Sequence, residues 1–506
     1  MAIYGSSILA YGIYIILALA GAFYLWMKNR HSYWKKRGVP SLPSTHWLFG
    51  DFKDIIAMRK SASLVLGDFY QQTNKDNKFF GVYVFHKPFL FLKDPQIIKT
   101  MLIKDFDIFS NRYFSQKTSK DLATYNLFTV DNPDWKHLRV KMSPLFTIGK
   151  IKKLFHLMIE TSETMKEYLE QRTKSNSVIT VDVKDIFMKY STDIISSLAF
   201  GVRTNSFGEP IPEFYIKSRM DFQPTFRTAM LLFAAFFFPR ISEFFGNGLF
   251  RHAREYFGRL FWDSYEARKK SGTKRGDLID YLLELENDAK NSEFKFEGDM
   301  LLGQSLIFFI AGRETSTTTM SYALYELAKQ PELQDRTRKE IREILKSDGF
   351  TYEGVQKMKY LNQVISETLR LYPPAPIIDR VATQDYVIPG TDVVIEKGTP
   401  VYAVLTGIHL DPANFPDPLR FDPDRFSDER KHEIATCTYM PFGDGPRVCI
   451  GMRVGLLQTA VGIITILDNY EVLLNPTGSY EQERRNVFIV PGKNFVLNFK
   501  KTTADN

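Results

Sequence analysis

The stretch Pro441-Phe442-Gly443-Asp444-Gly445-Pro446-Arg447-Val448-Cys449-Ile450-Gly451 decides how the rest of this chain is read. It holds one of only two cysteines in 506 residues. The segment after it, Gly451 to Tyr470, is almost wholly apolar and reads as a buried helix. A thiol just before a helix N-terminus meets the positive end of the helix dipole, which favours the thiolate. Gly443, Gly445 and Gly451 allow tight turns and the close approach of a flat partner. Arg447 puts a fixed cation two residues from the sulfur, suited to a carboxylate. A lone thiolate in an apolar, glycine-built cradle beside an arginine suits a haem iron and its propionates. The plainer alternative is a surface loop with an incidental cysteine.

Phe442, Gly445, Arg447, Cys449 and Gly451 match the pattern FxxGxRxCxG. On these residues the chain resembles the cytochrome P450 family of haem-thiolate monooxygenases, and within it the microsomal, insect xenobiotic-metabolising type. The resemblance runs from about Pro40 to the end of the chain. It implies a mainly α fold with small β-sheets, one large domain and an N-terminal transmembrane helix. The cofactor it implies is haem b, iron protoporphyrin IX, with Cys449 as the axial ligand of the iron. Phe442, Gly443, Gly451 and Arg447 would lie against the haem.

Further motifs extend the resemblance. Trp135 and Arg139 share one helix face at i and i+4, and match a WxxxR pair that binds a haem propionate. Arg380 would meet a propionate too. Phe308-Phe309-Ile310-Ala311-Gly312-Arg313-Glu314-Thr315-Ser316 lies inside a long helical segment. Glycine there costs about 1 kcal/mol relative to alanine, so it has a packing or functional reason. Ala311 and Thr315 are one turn apart, and two small side chains leave space over a flat cofactor. This stretch resembles the AGx[DE]T oxygen groove. Carried over, Thr315 hydrogen-bonds the dioxygen and Glu314 relays protons. A mid-helix Thr also bonds its own i−4 carbonyl in many helices. Glu367 and Arg370 match ExxR, and Arg425 the arginine of PERF, here Pro423-Asp424-Arg425-Phe426 with Asp for Glu. Glu367, Arg370 and Arg425 are expected to be structural. Phe308, Ile377 and Ile378 are expected to face the substrate.

Composition bounds the rest. A hydrophobic share of 44% is enough for a sizeable core, and 42 Phe point to an aromatic interior. A net charge of +8 admits nucleic acid, an anionic membrane or an acidic protein as partner. Zinc spacings and nucleic-acid motifs are absent from the sequence, so no nucleic acid is expected and membrane and acidic protein lead. Two cysteines argue against a disulfide framework and suit a reducing compartment.

Met1 to Met27 carries no charged residue, and Lys28, Arg30, Lys35, Lys36 and Arg37 follow with no acid before Asp51. The apolar run is long enough to span a bilayer, and the basic flank places the body on the cytosolic side. A cleaved signal peptide would want a basic start, which is missing. The expected division is an anchor over 1–27, a basic, proline-containing hinge over 28–50 and a catalytic domain over 51–506. Tyr24, Trp26, Tyr33 and Trp34 are expected at interface depth. Ala229 to Phe238, an apolar run too short to span, reads either as a buried core helix or as a segment dipping into the bilayer at the substrate entry. Arg268 to Arg275 reads as a solvated basic loop.

Alternation predicts a hairpin over Phe79 to Lys93 and short strands within Asp385 to Val401. Helices are predicted over Ile151 to Gln171, Val181 to Phe200, Phe250 to Lys269, Asp299 to Lys329, Pro331 to Lys346 and Met358 to Leu371.

The resemblance implies a monooxygenase of the endoplasmic reticulum membrane that acts on small lipophilic compounds, either xenobiotics such as insecticides and plant toxins or endogenous lipids. Its electrons would come from NADPH through NADPH–cytochrome P450 reductase, with cytochrome b5 as a second candidate donor and Lys136 and Lys141 in the docking patch. Two other readings stand beside it: a haem-thiolate peroxide isomerase or dehydratase, and a non-enzymatic haem carrier or gas sensor.

Overall fold

The computed structural model describes residues 2–43, 45–114, 125–174, 176–220, 223–239, 251–289 and 296–502. Met1 of the expected anchor and Phe250, the expected start of one helix, lie outside them. Helix α1, Ala2–Arg30, stands apart from the body, and Tyr11 to Trp26 show large exposed apolar side chains along it. It is the one helix among the described residues long and apolar enough to cross a membrane. Two hydrophobic cores build the remainder.

The larger core is helical. Its named elements are α2 (Asp134–Met142), α3 (Ile148–Thr173), α4 (Val183–Phe200), α6 (Arg251–Ser271), α7 (Asp299–Lys329), α8 (Pro331–Asp348), α9 (Lys359–Leu371) and α10 (Met452–Asn469), while α5 (Phe226–Phe237) belongs to the second core. Helix α7 is apolar nearly all round, as a helix through the centre of a large domain must be. Its Gly312 has a packing reason: a Cβ there would stand 2.8 Å from Ile195 Cδ1 of α4.

The second core lies under a four-stranded sheet, ordered β1 (Phe79–Val84), β2 (Lys87–Leu92), β7 (Pro400–Val404) and β4 (Ile377–Val381). Strands β2 and β7 run parallel, with Leu90 opposite Val401, and the other pairs antiparallel. A two-residue pair, β5 (Tyr386–Val387) with β6 (Val394–Ile395), forms a separate ribbon. Strands β3 (Val178–Asp182), β9 (Val496–Lys501) and β8 (Tyr470–Leu474) make a third sheet that sequence reasoning missed. β3 is five residues of alternating exposure just before α4, and its partners are far away in sequence.

Several expectations meet the structure here. In the hinge region, residues before Asp51 pack onto β1. Gly81 N–H donates to Pro40 O at 2.7 Å, and Trp34 is fully buried with its indole Nε1 donating to Val82 O at 3.3 Å. Trp34 therefore belongs to the body, while Tyr24, Trp26 and Trp47 remain exposed at the base of α1. Ala229 to Phe237 are buried apart from Met230, which is half-buried, packed with Phe52, Phe89, Phe114 and Phe488. The core-helix reading wins, since burying these rings inside the domain leaves little apolar surface for lipid. Arg268 is not in a solvated loop: it ends α6 buried against Asp277, at 3.0 Å, and Asp280.

Candidate haem site

The cysteine loop is a set of tight turns that sets the thiol at the start of α10. Cys449 N–H donates to Phe442 O at 2.9 Å, and Val448 N–H to Gly445 O at 3.0 Å. Gly445 has φ +71°, and a Cβ there would fall 2.2 Å from Leu102 O. No other residue fits. Gly451 is different: its φ is −88° and a Cβ would lie no closer than 3.8 Å to Phe146, so the protein itself does not require glycine there.

The two thiols differ. Cys437 is buried, lies 3.5 Å from Asp444 Oδ2 and is pushed up to about 12, by burial first and then by that carboxylate. Cys449 has an accessible side chain although protein packs closely around it, so it opens onto an interior space. Burial pushes its thiol up; the backbone N–H groups of Gly451 and Met452 and the Arg139 and Arg112 cations pull it down by less. The helix start thus favours the thiolate as expected, but does not win alone. A coordinated metal ion would supply the rest, since a ligating thiol is deprotonated outright.

Beside this loop lies a buried cluster of guanidiniums. Arg447 donates to Val130 O at 2.7 Å and stacks 4.4 Å over the Trp135 ring. Arg380 donates to the carbonyl of Asp379 at 2.7 Å. Arg112, absent from the sequence reading, pairs with the Asp379 carboxylate at 2.6 Å and stacks 4.0 Å over Phe128. Its only sequence signal was a lone arginine in a loop. Burial, then Arg112 and Arg380, pull Arg447 down to about 8; burial, then Arg112, pull Arg380 to about 9. Burial alone would raise the Asp379 carboxyl, yet Arg112 and Arg380 hold it below its usual range. The Nε atoms of Arg112, Arg380 and Arg447 are buried without a hydrogen-bond partner. Three guanidiniums here exceed what Asp379 and Asp131 can meet, and a buried charge demands a partner. Arg139 senses Cys449 electrostatically and is half-buried on α2.

On α7, Ala311 and Thr315 are accessible within a helix otherwise largely buried. The Thr315 hydroxyl donates to Ala311 O at 2.7 Å, so the i−4 bond does form. Its oxygen lone pairs remain able to accept. Glu314 is half-buried and lies 4.0 Å from Lys184, whose ammonium donates to Pro491 O at 3.1 Å. Helices α7 and α10 adjoin: a Cβ on Gly455 would meet Ser316 Oγ at 3.8 Å, and Phe146, against Gly451, packs 5.4 Å from Phe308. Ile377 and Ile378 are consecutive on β4, so their side chains point to opposite faces and cannot both line one pocket. This corrects the paired expectation.

Behind the site, Glu367 receives Arg370 in a two-pronged pair at 2.7 and 2.8 Å, with Arg425 Nε at 3.5 Å. Asp422 N–H adds a bond at 2.8 Å. Asp424 instead meets Arg336 at 2.9 Å near the surface. His409, also missed, accepts from Met440 N–H at 3.0 Å and donates to Arg370 O at 3.2 Å. Burial holds it neutral, down to about 3. It ties the ExxR pair to the chain entering the cysteine loop.

An accessible thiol at a helix start, accessible small side chains on the helix adjoining it and an arginine cluster short of anions define a haem-thiolate protein. The cytochrome P450 family profile matches residues 40–499, and the chain belongs to that family. It is 38% identical to cytochrome P450 6k1 of Blattella germanica, over 97% of both chains. It is 37% identical to cytochrome P450 6a2 of Drosophila melanogaster, over 91% of this chain and 93% of that one. The family is one of haem-binding monooxygenases, and this chain is an oxidoreductase of that class.

Proposed function

We propose that this chain is a membrane-anchored monooxygenase in which Cys449 ligates the haem iron and Arg112, Arg380, Arg447, Trp135 and Arg139 hold the propionates. The observation that carries this is the guanidinium cluster, buried Arg380 and Arg447 with half-buried Arg112, facing Asp379 and Asp131 beside the accessible thiol. Two carboxylates would meet that demand through charge-assisted hydrogen bonds. Once bound, the haem supplies dioxygen activation at iron, with the thiolate pushing electron density toward O–O cleavage.

The chain's own residues position and protonate. The Thr315 hydroxyl donates its hydrogen bond to Ala311 O, so its oxygen accepts and can orient a proton donor in the groove. Glu314, held 4.0 Å from Lys184, is placed to pass a proton between that groove and solvent. Phe114, Phe236 and Phe488 pack at an angle to one another next to the arginine cluster and give an apolar wall, which suits small lipophilic substrates. Helix α1 anchors the body, with the Lys28 and Arg30 end on the cytosolic side of the endoplasmic reticulum. Exposed Lys136 and Lys141 on α2 suit an acidic flavoprotein reductase and act mainly by steering.

The test is Cys449→Ser in the full chain. Loss of the red-shifted Soret band of the reduced carbon monoxide complex, with Cys437→Ser retaining it, is the expected result. The reverse pattern sinks the assignment.

A further inference from the structure

Two tyrosines the reaction does not use stand between the ExxR helix and the surface. Tyr372 lies two residues past Arg370, at the end of α9. Its ring stacks on that of Tyr322 at 4.1 Å, 4° from parallel. Tyr322 is on α7, seven residues beyond Thr315, which is about 10 Å along the helix. The Tyr372 hydroxyl donates to Glu326 Oε1 at 2.6 Å. Glu326 is itself buried and pairs with the exposed Lys329 at 2.9 Å. From Tyr322 the contacts continue outward. Phe495 is 5.2 Å from Tyr322 and 5.9 Å from Tyr325, and Tyr325 stacks on the half-buried Tyr480 at 4.5 Å. The Tyr322 hydroxyl is buried without a partner, so only Tyr372 of the stacked pair has a base for its proton.

A phenol loses an electron readily only if its proton can leave at the same time. Tyr372 meets that condition. Burial and Glu326 both push its phenol above the usual range, so the resting group stays protonated. Glu326 takes the proton only when the ring is oxidised, because an oxidised phenol is a strong acid. Ring contact with Tyr322 and onward to Tyr480 gives the electron hole a path to solvent that avoids the groove.

We propose that Tyr372, with Tyr322 and Glu326, is an electron relay that drains oxidising equivalents when no substrate is in the groove. Tyr372 gives up one electron toward the oxidised site and its phenolic proton moves to Glu326. The resulting neutral tyrosyl radical is refilled by one electron from a reductant at the surface, such as ascorbate, and the proton returns from Glu326. With hydrogen peroxide as the oxidant, two such electrons and two protons turn one peroxide into two waters. One ascorbate becomes dehydroascorbate. The relay rests on the chain's family, not on which residue ligates the iron.

The experiment mixes the substrate-free, full-length holoprotein with hydrogen peroxide and freezes it for electron paramagnetic resonance. A tyrosyl radical signal is expected in the native protein and lost in Tyr372→Phe, which keeps the ring and its stack. Glu326→Gln keeps a hydrogen-bond acceptor but removes the base, and should lose the signal as well. Both variants should keep the native carbon monoxide spectrum and bleach faster under peroxide, and ascorbate should slow bleaching only in the native protein. No protein radical in the native chain, or the same signal in Tyr372→Phe, overturns the relay and leaves the stack as core packing. A radical that persists unchanged in Glu326→Gln removes Glu326 from it and overturns the proton-coupled form proposed.

Discussion

Two buried arginine clusters in this molecule use the same residue types and do opposite things. Around Glu367, the Arg370 guanidinium meets both carboxylate oxygens and also the carbonyls of His409, Pro418 and Arg420. Around Asp379, three guanidiniums face two carboxylates, Asp379 and Asp131, and leave three buried Nε groups without hydrogen-bond partners. In the first cluster Glu367 and Arg370 satisfy each other within the chain, and only Arg425 Nε, 3.5 Å from Glu367, lacks a hydrogen bond, so it is scaffold. The second needs an anion the chain does not provide, so it is a binding site. Arginine does not shed its proton in proteins. Burial and then the neighbouring Arg112 pull Arg447 and Arg380 down to about 8 and about 9, and a bound anion would oppose that pull.

The largest effect should come from breaking the Glu367 cluster. Glu367→Ala leaves Arg370 and Arg425 buried and unpaired, which costs about 3–5 kcal/mol. Little folded holoprotein should accumulate, seen as loss of the carbon monoxide complex and a lowered denaturation midpoint. A fully folded Glu367→Ala protein would erase the distinction drawn between the clusters.

Breaking the second cluster should act on haem and not on the fold. Arg380→Leu removes one of the competing cations, so the haem-free protein should unfold no more easily than the native one. Haem retention should fall, because a hydrogen bond to a charged group contributes about 1.5–3 kcal/mol, roughly a 10- to 100-fold weaker hold. Haem transfer to an acceptor protein measures this directly. Equal losses of fold and haem would show the cluster to be scaffold too.

The smallest effect is the finest test. Thr315→Val keeps the shape of the groove and removes the hydroxyl that now bonds Ala311 O. Fold and carbon monoxide spectrum should not change. Product per NADPH should fall and hydrogen peroxide should rise to match. An unchanged ratio would mean that the i−4 bond is all the hydroxyl does.

Much of this was legible in the sequence because it rests on local rules. Helix periodicity placed α3, α4 and α7 to α10 to within a few residues, and alternation with a short turn placed β1 and β2. The cysteine loop was legible because turn glycines, an arginine and a thiol sit within one short stretch. β3 was missed since five residues without a nearby partner carry no pattern of their own. Trp34, expected at interface depth, and α5, left open between core and lipid, share a related reason. An apolar side chain has the same composition whether lipid or protein covers it, and only their packing against Gly81, Phe52 and Phe114 decided.

The sequence by itself determined the chemistry on offer: one thiol at a helix start, a small-residue groove, an apolar N-terminal segment and a basic flank. Each is a property of neighbouring residues. Which of the buried charges is satisfied was decided by tertiary structure alone. Arg112, Arg380 and Arg447 lie far apart in the chain, and so do Glu367, Arg425 and His409. Whether a buried cation finds its counter-charge depends on what the fold brings within about 3 Å of it, and no local pattern encodes that.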